Sequence, residues 1–292
     1  MSIRQKSDNI IDGKAIAEKI LTKVKIWVDE LKTQGITPKL AVILVGDNKP
    51  SQTYVRKKQE AAEKIGIDFT LHKYSADINK EQLVEEIKKI QQDEKLCGLI
   101  VQLPLPQSLY TPEVLNAVNP DVDVDCLTND NLGRLMKKTG FILPPTPYAV
   151  KTILKELGVN VEGKNICVIG AGPLVGKPLT IILLNKQATV TICSSQTKNL
   201  KEKCLEAEII VTAVGKNNLL RGDMVKRGAI VIDAGISFTD EKIHGDVNFA
   251  EVSKKAGHIT PVPGGVGPIT VALLLKNTVT CAKRKFGLMK KL

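Results

Sequence analysis

The 292-residue sequence is poor in aromatic residues, with 5 Phe, 4 Tyr and 1 Trp. It therefore offers little surface for stacking against unpaired nucleobases. It has no run of about 18 consecutive apolar residues, the length that a membrane-spanning helix needs. The opening MSIRQKSDNIIDGK lacks the apolar core of a secretory signal. These absences predict a cytoplasmic protein that binds neither nucleic acid nor membrane.

The six cysteines form no CxxC pair, and four of them lie in or beside apolar runs such as NICVIG and TVTICS. This distribution is typical of buried, reduced thiols rather than of a disulfide framework or a zinc site. We therefore expect no metal.

The formal net charge is +11, which by itself favours a polyanionic partner. The basic residues are, however, interleaved with acidic ones along amphipathic segments such as EQLVEEIKKIQQ. Such a pattern is typical of solvated helix faces. Attraction of a small anionic substrate fits the charge equally well.

Short β-branched runs alternate with helical patterns along the whole chain, which predicts an α/β fold with parallel sheets. We expect the strands to be hydrophobic throughout, because helices cover both faces of such sheets. The segment LPPTP predicts a boundary near residue 145. Two domains follow, at 1–145 and 146–267, and a C-terminal helix at 268–292 completes the first.

The predicted strands and helices alternate in each half, and the second half has the βαβαβ order of a Rossmann dinucleotide-binding domain. The strands are placed at 40–46, 68–75, 98–104, 165–170, 189–193, 208–215 and 229–236, and the helices at 13–34, 51–65, 79–92, 111–118, 148–157, 175–185 and 199–206.

A glycine-rich turn, Gly170, Gly172 and Gly176, follows a predicted strand and opens a helix. In this context glycines let the backbone approach a pyrophosphate at the helix N-terminus. The GxGxxxG spacing is one residue longer than the common dinucleotide fingerprint. A merely tight strand-helix turn remains the alternative.

The next strand ends in Cys193-Ser-Ser-Gln-Thr197, without an Asp or Glu to bind a ribose 2′-hydroxyl. Ser195 and Thr197 offer hydroxyl donors to a 2′-phosphate, and Lys198 follows closely. The pattern favours NADP, with NAD as the alternative, although small polar residues are also ordinary turn formers.

Tyr54 and Lys58 are four residues apart on a predicted helix and therefore share one face. A lysine acts as a general acid or base only where its surroundings lower its pKa. The plain alternative is a surface lysine in the run RKK. Gln102 lies in the apolar run GLIVQLPLP, where its amide needs a partner, and a buried lysine would supply one.

Asp121, Asp123 and Asp125 alternate in PDVDVDC. Oxygen ligands for a cation are one interpretation, but the glycine and distal glutamate of a calcium loop are missing. Alternatively, one carboxylate accepts two parallel hydrogen bonds from an amino-heterocycle. Further on, TPVPGGVGPITV predicts a rigid loop whose backbone approaches a ligand.

Eight blocks, in order, carry a family resemblance: IIDGKAIA, VGDNKPSQTYVRKK, GLIVQLPLP, NPDVDVD, VIGAGPLVGKP, AIVIDAGI, HGDVNF and TPVPGGVGPITVALLLKNTV. Over roughly residues 10–280 the chain resembles the bifunctional methylenetetrahydrofolate dehydrogenase/methenyltetrahydrofolate cyclohydrolase family.

The resemblance implies an enzyme of one-carbon metabolism and purine biosynthesis that is both oxidoreductase and hydrolase. It would oxidise 5,10-methylenetetrahydrofolate with NADP or NAD and hydrolyse the methenyl product to 10-formyltetrahydrofolate. It also implies a homodimer formed through the Rossmann domain.

The implied roles fall on matching positions of this sequence. Lys58 would be the acid/base residue of hydrolysis, Gln102 would tune it, Tyr54 would line the pterin site and Asp125 would grip the pterin ring. Pro263, Gly264 and Gly265 would contact the substrate. The cofactor would be bound by Gly170, Ala171, Gly172, Val175, Gly176, Ser195, Thr197 and Ile236.

Three departures stand out. Ala171 replaces an arginine of the frequent GRSxxVG motif, Cys126 replaces the glycine of DVDG, and PPTPYAV stands where PCTPxG is common. Two competing hypotheses are a dehydrogenase of the same fold acting on another substrate and a non-enzymatic basic binding protein.

Overall fold

The computed structural model describes residues 9–239 and 242–289. These residues form two compact units. One comprises Glu18–Pro145 and the C-terminal segment that begins at Val271, and we call it the three-stranded unit. The other comprises Thr146–Thr270 and the N-terminal segment that ends at Ala17, and we call it the five-stranded unit. Within the described residues, no helix is long and apolar enough to cross a membrane.

The three-stranded unit has a parallel sheet with helices packed against it. The strand order is β2-β1-β3. The elements are α1 (Gly13–Thr33), β1 (Lys39–Val45), α2 (Lys49–Lys64), β2 (Asp68–Tyr74), α3 (Lys80–Ile90), β3 (Leu96–Val101), α4 (Pro112–Asn116) and α5 (Asn129–Met136).

The three strands differ in burial, although β2 and β3 are both edges of the sheet. β1 is central and β3 is buried at all six positions. β2 has no buried position, so the expectation that every strand is hydrophobic throughout is wrong for this one. The outer edge of β3 is covered by the segment that contains Asp123, which forms a bridge with Leu99. β2 forms no such bridge among the described residues, and it carries polar residues such as His72 and Lys73.

The five-stranded unit has a parallel sheet in the order β10-β7-β6-β4-β5. This order confirms the predicted Rossmann architecture. The elements are α6 (Pro145–Glu156), β4 (Asn165–Ile169), α7 (Gly176–Leu184), β5 (Thr189–Cys193), α8 (Leu200–Glu206), β6 (Ile209–Thr212), a 3-10 turn (Gly222–Met224), β7 (Ile230–Asp233), β8 (Ser237–Thr239), β9 (Lys242–His244), α9 (Phe249–Val252) and β10 (His258–Ile259).

The C-terminal helix, α10, spans Val266–Lys285. It begins two residues before Pro268 rather than after it, because a proline in the first turn has no intrahelical hydrogen bond to lose. Leu274, Leu275 and Val279 belong to the same buried core as β1. The predicted return of this helix to the first domain is therefore confirmed.

Several short elements were not predicted from the sequence. α5 lies inside the turn-rich segment after Asp125, and the antiparallel β8–β9 pair, α9 and β10 follow β7. Each is eight residues or fewer, too short for a clear hydrophobic period. All six cysteines are buried and free, as expected for the four beside apolar runs.

Candidate active site

Lys58 lies on the buried face of α2. The buried positions of this helix are Ser51, Val55, Lys58 and Ala62, whose spacing follows one helical stripe. The neighbouring Lys57 is exposed. Lys58 is therefore not the surface lysine that the run RKK suggests, because helical periodicity turns it inward.

The Nζ atom of Lys58 donates a 2.9 Å hydrogen bond to Oε1 of Gln102. Gln102 lies one residue beyond the end of β3 rather than inside the strand, and its backbone N–H still bonds to Ile43 O at 2.9 Å. Its Nε2 donates to Leu103 O at 2.6 Å. The amide needs a buried partner, as its position predicts, and Lys58 supplies it.

Burial lowers the pKa of Lys58, while the negative charge of Asp125 opposes that shift. Gln102 is neutral, so its oxygen accepts a hydrogen bond without adding a charge that would favour the ammonium form. The amine of Lys58 is thus shifted toward the neutral form that can accept a proton.

The three alternating aspartates lie in different surroundings. Asp121 is exposed and faces Arg284 at 3.6 Å. Asp123 is 3% exposed and accepts hydrogen bonds from Leu127 N (3.1 Å), Thr128 N (2.9 Å), Thr128 Oγ1 (2.8 Å) and Asn131 Nδ2 (3.0 Å). Within residues 9–239 and 242–289, no group of three His, Cys, Asp or Glu side chains could hold a metal ion.

Asp125 has a different role from Asp123. Its carboxylate accepts no hydrogen bond from any residue that the structure describes. Burial raises its pKa, the charge of Lys58 lowers it, and Asp123 raises it further. Asp123 pairs with Leu99 of β3 in a parallel bridge. The segment after Asp123 therefore runs in the same direction as β3, toward Gln102. The hydrogen-bonding capacity of the Asp125 carboxylate is therefore unused by the described residues.

Cys126, at the position where the family usually has glycine, adopts a φ of 57°. This left-handed backbone is strained by about 1 kcal/mol for a residue other than glycine. Its N–H donates to Asp123 O at 3.1 Å, and its side chain is buried in the core. The chain thus retains a glycine-type turn after Asp125 despite the substitution.

Tyr54 shares the face of α2 with Lys58 and is half-buried. Burial raises the pKa of its phenol, so the ring presents a neutral hydroxyl. The Nζ atom of Lys57 lies 6.0 Å from the ring centroid.

The glycine-rich turn has distinct needs at each glycine. Gly170 has a φ of 115°, and a Cβ there would meet Ala213 O, after β6. A Cβ on Gly176 would collide with Gly170 O, whereas a Cβ on Gly172 would meet no atom within 4 Å. Gly170 and Gly176 thus allow the backbone of the turn to pack tightly where β4 and β6 end. The space beside Gly172 is open. These features fit a dinucleotide pyrophosphate.

The end of β5 is organised by Thr197, whose Oγ1 accepts a 2.8 Å hydrogen bond from Ser194 N. Ser195 is exposed, and Ala171 and Val175 are partly exposed beside the glycine turn. Ile236 is 39% exposed after β7. The structure places these predicted cofactor residues in the loops after β4, β5 and β7.

The loop after β10 contains Pro263, which follows a cis peptide bond, and Gly264, which has a φ of 104°. A Cβ on Gly265 would approach the backbone of Pro261 and the side chain of Thr260. The loop is therefore compact, as its composition predicts. Lys14 is the only side chain within 4 Å of a Cβ built on Gly264 among the described residues.

Two buried aspartates, Asp233 and Asp246, were not predicted as site residues. Asp233 accepts hydrogen bonds from Thr212 Oγ1 and from the N–H groups of Gly235, Asp246 and Val247. Asp246 accepts from Val214 N and Lys216 N, both at 2.7 Å. They brace the loops after β6 and β7. In the sequence, the position of Asp233 at the end of the apolar run AIVID could have indicated a buried, hydrogen-bonded carboxylate.

A cavity of about 340 Å³ lies beside these aspartates in the five-stranded unit. None of the residues predicted from the sequence lines it. Its walls are formed by Asn217, Asn218, Asp233, His244, Gly245, Val247, Asn248, Phe249, Ala250, Thr260 and Val262.

Two family models match the chain. The catalytic domain of tetrahydrofolate dehydrogenase/cyclohydrolase matches residues 11–125, and the NAD(P)-binding domain of the same family matches residues 144–286. Bifunctional protein FolD of Nautilia profundicola is 49% identical over 275 residues, which cover 94% of this chain and 97% of that protein.

Solved structures of proteins from the same family are also similar to this chain. The bifunctional enzyme FolD of Campylobacter jejuni superposes with a TM-score of 0.91 at 44% identity, covering 94% of this chain and 98% of that one. The Trypanosoma brucei methylenetetrahydrofolate dehydrogenase-cyclohydrolase, solved with NADP and an inhibitor, has a TM-score of 0.91 at 37% identity and covers 95% and 98%. Extending over both units, these similarities show that the chain belongs to the tetrahydrofolate dehydrogenase/cyclohydrolase family that its motifs resemble.

Proposed function

We propose that this protein oxidises 5,10-methylenetetrahydrofolate with NADP and hydrolyses the 5,10-methenyl product to 10-formyltetrahydrofolate. The observation that carries the proposal is the buried pair of Lys58 and Gln102, whose lysine interacts with the charge of Asp125. A simple dehydrogenase would not need this pair, since hydride transfer requires no protein base. A non-enzymatic binding protein would need none of it.

The substrate would lie in the three-stranded unit at the end of β3. Asp125 would accept hydrogen bonds from the amino group and ring N–H of the pterin, and Tyr54 would line the ring. Pro263, Gly264 and Gly265 are further proposed substrate contacts, on the strength of the motif TPVPGGVGPITV alone. In this assignment the three-stranded unit is the folate domain and the five-stranded unit is the dinucleotide domain.

The nicotinamide cofactor supplies a hydride acceptor. The backbone of Gly170, Ala171, Gly172, Val175 and Gly176 would hold its pyrophosphate, with Ser195 and Thr197 at the 2′-phosphate and Ile236 at the nicotinamide. The chain's contribution to oxidation is to hold donor and acceptor face to face, which accounts for most of such a step.

In hydrolysis, the oxygen of a water molecule bonds to the methenyl carbon while the neutral amine of Lys58 takes one proton from that water. The resulting ammonium then protonates N5 as the bond between that carbon and N5 breaks. The second proton of the water is released to solvent, which leaves the formyl group on N10. Gln102 keeps Lys58 in place throughout.

The test is to incubate the protein with 5,10-methylenetetrahydrofolate and each nicotinamide cofactor. NAD(P)H and methenyl absorbance are followed together. Formation of NADPH, with methenyltetrahydrofolate that appears and then decays, is the expected result. Reduced cofactor with stable methenyltetrahydrofolate would identify a dehydrogenase only, and no reaction would contradict the proposal.

We further propose a cytoplasmic homodimer. The six free, buried cysteines fit a reducing compartment. β5 forms an edge of its sheet, and Ile192 on β5 and Leu184 beside it are 38% and 50% exposed. An unpaired edge with exposed apolar side chains suits pairing with a second copy. Sedimentation equilibrium measures the mass, and a monomer at micromolar concentration would contradict the dimer.

A further inference from the structure

Asn277 is a polar residue buried in the apolar face of α10, at 2% exposure. Its Nδ2 donates two hydrogen bonds of 2.8 Å, one to Val124 O and one to Leu143 O. Both acceptors are backbone carbonyls more than 100 residues away along the chain. A buried amide at this place is costly unless it is hydrogen-bonded, so this geometry indicates a specific role.

One of the carbonyls held by Asn277 is that of Val124, the residue between Asp123 and Asp125. On one side, Asp123 accepts three hydrogen bonds from the turn before α5 and a fourth from Asn131 in α5. On the other side, Asp125 has no hydrogen bond from the described residues. The position of the Asp125 carboxylate therefore depends on the backbone that carries it, and Asn277 anchors that backbone at the preceding residue.

Gly98 of β3 allows α10 to lie close to the segment that contains Val124 and Asp125. A Cβ on Gly98 would lie 2.8 Å from Val124 Cγ1 and 3.1 Å from Thr278 Oγ1. The absence of a side chain at Gly98 lets both α10 and the aspartate segment pack onto the strand.

We propose that Asn277 is a positioning residue for folate, acting through Val124 to place the Asp125 carboxylate relative to Lys58. This inference rests on the proposed function. Replacing Asn277 by leucine keeps the branching and the number of side-chain heavy atoms but leaves the carbonyls of Val124 and Leu143 unpaired. The segment would relax, and Asp125 would lose its fixed place.

The experiment compares Asn277→Leu with Thr278→Val. Thr278 is the next buried residue of α10, and its hydroxyl donates only to Leu274 O within the helix. We expect Asn277→Leu to raise the KM for the folate substrate about tenfold in both reactions. The KM for NADP should stay unchanged, and Thr278→Val should change neither. If Asn277→Leu does not fold, Asn277→Ser, which retains one donor, is measured in the same way with the same expectation.

A double-mutant cycle separates positioning from a general structural effect. In an Asp125→Ala background, Asn277→Leu should cause no further rise in the folate KM, because its route of action is already lost. An unchanged folate KM in the single variant, or a full additional rise in the double variant, would overturn the inference while leaving the proposed function intact. A wild-type protein without either folate reaction would overturn both.

Discussion

The Nζ of Lys58 and the Oε1 of Gln102 form a buried 2.9 Å hydrogen bond in which the acceptor is neutral and its orientation is fixed. The other end of the amide is tied to Leu103 O at 2.6 Å, so Gln102 presents its oxygen to the lysine. The pair holds the amine in place without the charge that would restore an ordinary lysine pKa.

Lys58→Met should abolish hydrolysis of methenyltetrahydrofolate, with a loss of roughly 10²–10⁴-fold. Hydride transfer should remain measurable, because it needs no proton transfer to the protein. Single-substrate assays of each reaction provide the measurement. Wild-type hydrolysis in this variant would show that the lysine assignment is wrong, and equal loss of both activities in a folded variant would assign Lys58 to substrate positioning.

Gln102→Glu should move the pH dependence of hydrolysis upward. The pKa of Lys58 is lowered from 10.5 by burial, so the reactive amine forms as pH rises through that lowered value. A carboxylate at position 102 stabilises the ammonium and shifts this limb to higher pH. The pH–rate profile of kcat for hydrolysis measures the shift, and hydride transfer in the same variant is the control. An unshifted limb would contradict the role of Gln102.

Asp125→Asn should change folate affinity, whereas Asp123→Asn should change the stability of the fold. Asp125→Asn should weaken folate binding in both reactions by about 2–5 kcal/mol, the cost of losing a buried charge-assisted partner. It should not lower the unfolding midpoint, because burial already disfavours that carboxylate.

Asp123→Asn should instead lower the free energy of unfolding by about 3 kcal/mol, since an amide cannot accept all four hydrogen bonds. Thermal unfolding and substrate titration distinguish the two variants. Unchanged folate affinity in Asp125→Asn would assign the pterin contact to another residue.

Gly176→Ala and Gly172→Ala should differ in stability. The added Cβ at 176 meets Gly170 O, and this overpacking should cost about 1–3 kcal/mol. The Cβ at 172 meets no atom, so this variant should unfold like the wild type. If the pyrophosphate lies against this open backbone, Gly172→Ala should nevertheless raise the cofactor KM. Wild-type cofactor kinetics in Gly172→Ala would remove that residue from the binding site.

The wild-type protein should use NADP better than NAD by a modest factor, because the end of β5 has hydroxyl groups and no carboxylate. Ala171→Arg should increase this preference roughly tenfold, through a charge-assisted bond to the 2′-phosphate. Ala171→Gln, which adds a polar but uncharged side chain, is the control. Specificity constants for both cofactors decide the matter, and a higher value for NAD in the wild type would contradict the prediction.

The α/β class, the Rossmann half and the family could all be predicted from the amino-acid sequence. Each depends on local patterns that survive without tertiary information, namely alternation of apolar runs, glycines at a strand-helix turn and eight ordered motifs. The contact of Gln102 with a buried lysine was also predictable, because an amide in an apolar run requires a partner.

The sequence does not show which charged residues are available for chemistry, because that depends on the folded chain. Three aspartates at every second position look equivalent in the sequence. In the structure Asp121 is exposed, and the oxygens of Asp123 accept hydrogen bonds from the turn before α5. The oxygens of Asp125 accept none from the described residues. Burial depends on helices and strands that are far apart in the sequence, such as α10, whose Asn277 holds Val124. A local pattern does not contain such long-range contacts, and they set the surroundings of each charge.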